Sequence, residues 1–339
     1  MTERLSDKLR QFLKSAEGRE VTLRQIRDEL RIQPGSEAWN NVRVYMHRLV
    51  AEKIVKPSGR NDGVFKVLIP VVPVKFTLDG DEDEGVIPFR FPRSYIDDTT
   101  FGLDDIIEIS EGDCILITGE TNYGKTVIAL SILGENLDLF QNCLLMGSEY
   151  TSSEGEISKK FKRRLRRMNW VNWVNGDGPR FDLMPIESDY EDYVRKDGLT
   201  VIDWISLPGE YYLIDSVMKK IKNGVGKGVV VPVTQKNRDA KYSEGGERSE
   251  RYADCVLKID RLGKYESMLT IGKVKSSKER IVGRKFGFSI SDFGANLENI
   301  REIEKCLKCW TKGVINVQGE TKRCHACNGL GYTDKIGGE

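Results

Sequence analysis

The sequence has no apolar run that approaches the roughly 20 residues needed to cross a bilayer as a helix. Its first residues, MTERLSDKLRQ, are charged, whereas a secretion signal carries an apolar segment near its start. We therefore expect a cytoplasmic protein with no membrane partner. The sequence also has no internal repeat, which argues against a solenoid or a propeller.

The chain has little net charge, only +1 from 53 basic and 52 acidic residues, but this charge is unevenly distributed. Residues 1–70 and 159–167 are rich in basic side chains, while 79–84 and 97–111 are acidic. With 31% charged and 39% hydrophobic residues, the composition excludes a disordered or fibrous chain. A length of 339 residues accommodates one large domain and one or two small modules.

Changes in composition divide the chain into four segments. Residues 1–70 read as three helices and a hairpin, an order that resembles a winged helix-turn-helix domain. Residues 71–95 contain prolines and the acidic run DGDEDEG, which indicates a linker. Residues 96–298 form the core, and residues 299–339 begin with a predicted short helix and end in two cysteine pairs and a glycine-rich tail.

Short, almost continuously apolar runs recur through the core: CILITG, CLLMGSE, LTVIDWIS, GVVVPVTQ and DCVLKI. Runs of this kind are typical of strands that are buried on both faces of a sheet. Helical segments alternate with them. The pattern predicts an α/β fold with a mostly parallel sheet flanked by helices.

The first of these runs leads into a phosphate-binding motif of the form G-x-x-x-x-G-K-[ST], followed by the helical segment VIALSILG. In such a loop the backbone N–H groups surround phosphate oxygens, the lysine reaches the β and γ phosphates, and the threonine binds Mg²⁺. The predicted nucleotide contacts are Gly119, Glu120, Thr121, Asn122, Tyr123, Gly124, Lys125, Thr126 and Val127. We therefore predict ATP and Mg²⁺ as ligands. For Tyr123, contact with the nucleotide and simple packing both remain open.

Three other strands of the core end in polar residues that suit phosphate chemistry. Asp203 closes LTVID, where it can hold the metal ion, and Glu149 ends CLLMGSE, where it can orient or deprotonate the attacking water. Gln235 ends VVVPVTQ and can sense the γ-phosphate. Because open parallel sheets bind ligands at the carboxyl ends of their strands, these side chains are predicted to meet at the loop. Taken singly, each is also explained as a cap or a solvated loop residue.

The segments GETNYGKT, GSEYTSSE, TVIDWISL, VPVTQKNRD, ERYADCVLKIDR and LTIGKVKSS resemble, in order and spacing, the core motifs of the RecA/DnaB superfamily of ATPases, which includes hexameric helicases and RadA-type recombinases. The resemblance covers most of residues 100–290. It implies a RecA-like core with Glu149 as the catalytic glutamate, Asp203 as a metal-site carboxylate and Gln235 as a switch residue. It also implies a homo-oligomer, a hexameric ring or a filament, with ATP at the subunit interface.

By position, Lys273 and Lys275 resemble the basic pair that a neighbouring subunit supplies in that superfamily. Helicases of the superfamily commonly have arginine at the second of these positions. A lysine cannot make the bidentate contact of an arginine, which weakens the case for strong activation by a neighbour. An exposed strand edge explains both lysines equally well.

The third helix of the winged-helix segment is predicted to bind duplex DNA. Asn40, Arg43 and Arg48 lie on its outer face and can contact the major groove, and Arg60 in the following turn can reach phosphate. Winged helices also dock to proteins, which is the alternative interpretation.

Two segments of the core are candidates for single-stranded DNA. A helix near Glu156 carries seven cations that either neutralise nucleic-acid phosphates or form a solvated face against a neighbouring subunit. They are Lys159, Lys160, Lys162, Arg163, Arg164, Arg166 and Arg167. In the resembled superfamily, the loop that corresponds to 236–251 faces the central channel. Its candidate DNA contacts are Lys236, Arg238, Lys241 and Arg248.

The spacing of four cysteines near the C-terminus predicts a structural zinc site. The pairs Cys306/Cys309 and Cys324/Cys327 are each Cys-x-x-Cys, and fourteen residues separate the pairs. Four thiolates suit tetrahedral Zn²⁺ and leave no position for a reactive water. The intervening VINVQGETKR reads as a hairpin, and CHACNGLGY resembles the zinc modules of DnaJ-type proteins.

The leading interpretation is a nucleic-acid-stimulated ATP hydrolase of the RecA/DnaB type. It would act as an oligomeric DNA helicase or strand-handling motor in replication or recombination. One alternative is a DNA-binding regulator or adaptor in which ATP only switches the assembly state. Another is an ATPase that acts on protein partners through its two small modules.

Overall fold

The computed structural model describes residues 4–59, 62–70, 73–152, 154–176, 178–237 and 246–335. The chain forms two compact units, Met1–Gly80 and Asp81–Glu339. Across the described residues, no helix combines the length and the apolar character that crossing a membrane requires.

The first unit contains three helices and a three-stranded antiparallel sheet. Its elements are α1 (Leu5–Ser15), β1 (Glu20–Thr22), α2 (Leu23–Glu29), α3 (Glu37–Ala51), β2 (Val55–Pro57) and β3 (Val64–Val67). The strand order is β1–β3–β2, so the predicted hairpin of β2 and β3 is confirmed. Helix α3 begins where the Ser36 hydroxyl accepts a hydrogen bond from the Trp39 amide, and Val42, Met46 and Leu49 fix its inner face by burial in the core of the unit.

The second unit holds the remaining elements. In chain order they are β4 (Val86–Ile87), β5 (Ile109–Ser110), β6 (Ile115–Gly119), α4 (Lys125–Glu135), β7 (Cys143–Met146), α5 (Lys159–Arg167), β8 (Val174–Asn175), β9 (Gly178–Pro179), β10 (Asp182–Met184), β11 (Leu199–Ile202), α6 (Ile214–Gly224), β12 (Val229–Gln235), β13 (Cys255–Leu262), β14 (Glu266–Val274), β15 (Lys285–Ser291), β16 (Asn296–Lys305), β17 (Val314–Val317), β18 (Glu320–Arg323) and β19 (Tyr332–Asp334).

A ten-stranded sheet dominates this unit, with the order β10–β7–β11–β12–β6–β13–β14–β15–β16–β19. The strands from β10 to β13 run parallel, and those from β13 to β19 pair antiparallel. All five apolar runs of the core sequence are strands of the parallel half. The prediction of an α/β core with a parallel sheet flanked by helices is therefore confirmed, and the antiparallel extension is an addition to it.

The central strands of the sheet are buried on both faces, and most of their residues are apolar. In β6, Ile115 and Ile117 pack on the face that α4 covers, while Leu116 packs with Met218 and Ile221 of α6 on the other face. Burying one such side chain contributes about 1.5–3 kcal/mol. Since α4 and α6 enclose the sheet from opposite sides, the strand ends are the part of it left open for a ligand.

The parallel register brings the carboxyl ends of four strands to one edge of the sheet. Gln235 at the end of β12 pairs with Gly119 at the end of β6, and Ile202 of β11 pairs with Met146 of β7. The residues that follow these strand ends therefore lie side by side. They include the residues that the sequence predicts for the site.

The prediction of a short helix beyond Asn299 is wrong, because this stretch belongs to the ten-residue strand β16. Leu297, Ile300 and Ile303 are buried at intervals of three, a spacing that imitates a helix. An irregularity in the pairing of β15 with β16, together with a φ of 55° at Asn299, shifts the register and produces that spacing in a strand.

The cysteine-containing segment is attached to the large sheet through β19, which pairs with β16. Between the two cysteine pairs, β17 and β18 form an antiparallel hairpin in which Val314 pairs with Arg323 and Val317 with Glu320. The hairpin predicted for VINVQGETKR is confirmed.

We predict that Gly119→Ala destabilises the second unit. A Cβ atom at Gly119 would lie 2.1 Å from the carbonyl oxygen of Ile259 in the adjacent strand β13, which only a backbone shift can relieve. Overpacking of this kind costs about 1–3 kcal/mol or more. Thermal unfolding of the full chain should show an earlier transition for this variant. Gly176→Ala is the control, because a Cβ there meets nothing within 4 Å; equal transitions for the two variants would contradict the prediction.

Candidate active site

The segment between β6 and α4 has the geometry of a phosphate-binding loop. Gly124 has a φ of 102°, in the left-handed region that favours glycine, and forms the N-cap of α4. A Cβ at this position would also lie 2.7 Å from Cδ1 of Ile290. Because α4 begins at Lys125, the unpaired N–H groups of its first turn and the positive end of its dipole face the loop. The loop is therefore built to hold an anion.

A cavity of about 570 Å³ opens above this loop. The predicted site residues that line it come from four different elements: Thr121, Asn122, Tyr123, Gly124, Lys125, Thr126, Val127, Glu149, Asp203 and Gln235. Gly119 and Glu120 are buried at the start of the loop, outside this lining. Tyr123 both lines the cavity and packs against the core, so its packing is confirmed and contact with a nucleotide stays a prediction.

Asp203 places a buried carboxylate beside the start of α4. Its side chain is only 2% exposed, and it accepts hydrogen bonds from the hydroxyls of Tyr150 and Thr126. Burial raises the pKa of Asp203, while these hydrogen bonds and the charge of Lys125 act against that rise. Two hard oxygen donors, the Thr126 hydroxyl and the Asp203 carboxylate, thus lie next to each other. Such a pair fits Mg²⁺, which binds through few protein oxygens and the phosphates of its nucleotide.

Lys125 lies across the loop that precedes it. Its Nζ donates a hydrogen bond of 2.7 Å to the carbonyl oxygen of Glu120. Burial lowers the pKa of the ammonium to about 8, although the charges of Asp203 and Glu149 oppose the change. The cation therefore lacks full compensation within the protein, and an anionic ligand at the loop would supply it.

Glu149 and Gln235 occupy the ends of β7 and β12. Glu149 lies in a single 3-10 turn, Ser148–Tyr150, directly after β7. Loss of solvation raises the pKa of the Glu149 carboxyl, and the nearby charge of Asp203 adds to the effect. Gln235 is oriented by a hydrogen bond of 2.8 Å from its Nε2 to the hydroxyl of Thr121. One carboxylate of raised basicity and one oriented amide thus face the phosphate-binding loop.

The lining also includes residues that were not predicted for this site, among them Tyr150, Lys160 and Arg164. Tyr150 packs its ring against Phe161 of α5, with centroids 4.3 Å apart. Lys160 and Arg164 were considered only as part of a basic helix. Their spacing of four residues places them on one face of the helix, but Lys159 and Arg163 have the same spacing, so the sequence gives no signal that separates the two pairs.

Lys273 and Lys275 do not reach the cavity of their own chain. Lys273 pairs with Val256, near the amino end of β6, whereas the phosphate-binding loop follows its carboxyl end. The Lys273 ammonium donates to the carbonyl oxygens of Glu250 and Arg251, both at 3.1 Å, and Lys275 forms an ion pair of 2.6 Å with Asp254. Both lysines are therefore engaged within the chain.

The predicted nucleic-acid contacts have different placements. Asn40, Arg43 and Arg48 are exposed on the outer face of α3, and Arg248 is exposed after the long loop. Lys236 is only 7% exposed and its ammonium pairs with Asp260, so this chain does not present it to a nucleic acid. The remaining candidates lie outside the described residues: Arg60, Arg238 and Lys241.

The four C-terminal cysteines form one buried cluster, with all Sγ atoms within 4.8 Å of one another. Cys306 and Cys324 are 3.8 Å apart, and Cys309 and Cys327 are 3.6 Å apart. Four converging thiols without a disulfide are compatible with tetrahedral zinc. His325 lies outside the set, with its Nε2 2.8 Å from the ammonium of Lys308.

No protein-family model matches the chain, and no curated protein matches it either. Among solved structures, it is similar to a KaiC-like protein from the hyperthermophilic archaeon Pyrococcus horikoshii, with a TM-score of 0.46 and 15% sequence identity. The match covers 63% of this chain and 99% of the other. At this degree of similarity nothing about chemistry follows, so the function has to be inferred from the geometry of the site.

We predict that the purified protein contains about one zinc ion per chain, because the four thiolates complete a tetrahedral set. Elemental analysis should show this, and Cys324→Ser should remove most of the metal and lower the unfolding temperature. Cys143→Ser is the control, since Cys143 is buried in the sheet away from the cluster. A wild-type protein free of metal, with the same stability as Cys324→Ser, would contradict the prediction.

Proposed function

We propose that this protein is an ATP hydrolase of the RecA/DnaB type that works as a homo-oligomer and is stimulated by DNA. One observation carries the catalytic part: residues Thr121 to Thr126 of the loop share a single cavity with Glu149, Asp203 and Gln235. A nucleoside triphosphate is the ligand that an anion-binding loop, a hard-oxygen metal site and a base together fit.

In the proposed reaction, the loop and the N-terminus of α4 bind the β and γ phosphates through N–H groups, and Lys125 adds its positive charge. Glu149 orients a water molecule and accepts a proton from it as the water oxygen bonds to the γ-phosphorus. The bond from that phosphorus to the bridging oxygen breaks, and its electrons leave with ADP. Thr126 and Asp203 would hold Mg²⁺, which offsets the negative charge of the phosphates when bound.

The oligomeric part of the proposal rests on the resemblance to the RecA/DnaB superfamily, in which ATP lies at the subunit interface. Lys273 and Lys275 lie near the end of the sheet away from their own loop, and they line no part of its cavity. A role for them in hydrolysis would need the site of a second copy of the chain. A ring or a filament provides that arrangement, as the superfamily resemblance also implies.

The DNA-binding part of the proposal rests on the first unit. The order α1, β1, α2, α3, β2, β3 and the antiparallel sheet β1–β3–β2 support a winged helix. The exposed side chains of Asn40, Arg43 and Arg48 on α3 support contact with duplex DNA. The same exposed face also favours the second candidate function, a DNA-binding regulator that ATP switches between assembly states.

We predict that Glu149→Gln binds Mg-ATP as the wild type does but turns it over about 100-fold more slowly, because the amide cannot accept the proton of water. Lys125→Ala should lose both binding and turnover. Phosphate release and equilibrium binding measure the two properties separately. Glu156→Gln is the matched control, since Glu156 is exposed and outside the cavity. Normal turnover in Glu149→Gln would remove the assignment of the base.

We predict that single-stranded DNA raises the ATPase rate and that the stimulation decreases steeply as the salt concentration rises, because binding to phosphates releases counterions. ATPase rates with single-stranded DNA, duplex DNA and no DNA, each at several salt concentrations and with the oligomer size measured in parallel, test this. Binding of duplex DNA that depends on ATP with negligible turnover would favour the regulator. A rate indifferent to DNA would contradict a DNA motor.

A further inference from the structure

Helix α5 turns only part of its positive charge toward the nucleotide cavity. Lys160 and Arg164 line the cavity, and they are one helical turn apart on the same face. Arg163 and Arg166, on the same helix, are exposed and do not line the cavity. The basic helix therefore has two different cationic faces, of which one belongs to the site.

The position of α5 relative to the site is fixed at its amino end. The Ser158 hydroxyl caps the helix by accepting from the Phe161 amide at 3.2 Å, and the Ser158 amide donates to the Tyr150 carbonyl at 2.8 Å. The ring of Phe161 packs on the ring of Tyr150, whose hydroxyl donates to Asp203. Movements of the helix away from Asp203 would break these contacts, so the cations of the inner face have a defined location.

The carboxyl end of α5 is held by the turn between β15 and β16 and by the start of β16. Asn296, the first residue of β16, donates through its Nδ2 to the carbonyl oxygen of Arg167 at 3.2 Å. The guanidinium of Arg167 lies over the ring of Phe293, 4.1 Å from the centroid. Helix α5 is thus linked at its amino end, through Phe161 and Tyr150, to Asp203. At its carboxyl end it contacts Asn296 and, on the opposite wall of the cavity, Phe293.

Arg164 is partly buried between these two attachments. Its Nη2 would lie 3.3 Å from a Cβ at Gly294, which has a φ of 88°, so a glycine leaves space for the guanidinium there. Within the described part of the chain, the Arg164 side chain forms no hydrogen bond and no ion pair. Arg164 lines the same cavity as Glu149 and Asp203. A guanidinium has five N–H donors, and here they face a cavity shaped for phosphate.

We propose that Arg164 contacts the γ-phosphate of ATP bound to its own chain and stabilises the transition state of hydrolysis. This inference rests on the proposed function. It assigns to the active site a cation that belongs to the same chain as the bound ATP, which is action in cis. As the water oxygen bonds to the γ-phosphorus and the bond to the bridging oxygen breaks, negative charge is redistributed over the phosphoryl oxygens and onto ADP. The planar guanidinium donates hydrogen bonds to those oxygens and exchanges no proton.

The contacts that Lys273 and Lys275 make within the chain favour a different cation, from the same chain, as the one that contacts the γ-phosphate. Lys275 is paired with Asp254, and the Lys273 ammonium is bound by two carbonyl oxygens. Recruitment of either lysine to a neighbour's phosphate would first have to break these contacts, whereas Arg164 already faces the cavity. Arginines that stabilise phosphoryl transfer contribute about 10³–10⁵ in rate, and they are known to act both in cis and in trans.

The first test compares arginine variants of α5 in the full chain without DNA. Arg164→Ala should lower kcat for Mg-ATP by about 100-fold or more while the Kd for Mg-ATP changes less than about tenfold, since the loss is confined to the transition state. Arg164→Lys should recover only part of kcat, because an ammonium lacks the bidentate geometry. Arg163→Ala is the control from the outer face and should stay within about twofold of the wild type. An Arg164→Ala variant with wild-type kcat, or equal losses in both alanine variants, overturns the proposal.

The second test separates action in cis from action in trans. Arg164→Ala retains an intact loop, and Lys125→Ala retains an intact Arg164, so the two variants are mixed under conditions that exchange subunits. A mixture no more active than its components is expected. Recovery of activity in the mixture would show that Arg164 serves a neighbouring site and would overturn the cis assignment. If the wild type itself neither binds nor hydrolyses Mg-ATP, the proposed function fails; a hydrolysing wild type with an unaffected Arg164→Ala refutes the role of Arg164 alone.

Discussion

Strand β6 approaches β13 so closely at Gly119 that a side chain there would overlap the carbonyl oxygen of Ile259. This close contact fixes the point at which the chain leaves the sheet and enters the phosphate-binding loop. Five residues later, Gly124 adopts a left-handed conformation and starts α4. Two positions without a Cβ atom therefore decide both where the loop begins and how the first turn of the helix is directed at its ligand.

The parallel register of the strands brings further side chains to the phosphate-binding loop. Because β7, β11 and β12 end at the same edge as β6, Glu149, Asp203 and Gln235 come into one cavity although they are distant along the chain. The antiparallel half of the sheet and helix α5 form the other wall of this cavity. The groups that we propose to act in catalysis thus come from the parallel half, and the elements attached to it enclose the cavity and add positive charge.

The sequence allowed the loop, five of the six parallel strands and the meeting of strand ends at the loop to be predicted, because glycine positions and continuous apolar runs are local signals. The spacing of Cys306, Cys309, Cys324 and Cys327 is also a local signal, and it predicted a zinc site. The structure brings the four thiols together. Strand β16 was missed since the irregularity near Asn299 gives a strand the spacing of a helix. Arg164 could not be distinguished from the other cations of α5, because its orientation depends on the packing of Phe161 against Tyr150.

The central claim is that the loop from Gly119 to Thr126 binds the triphosphate of a nucleotide together with Mg²⁺. Calorimetric titration of the full chain with ATP, in the presence of Mg²⁺ and again after its removal, measures this directly. The account predicts saturable binding of about one nucleotide per chain that weakens markedly without the metal, since Thr126 and Asp203 then lose the ion that links them to the phosphates. No detectable binding of Mg-ATP would contradict it.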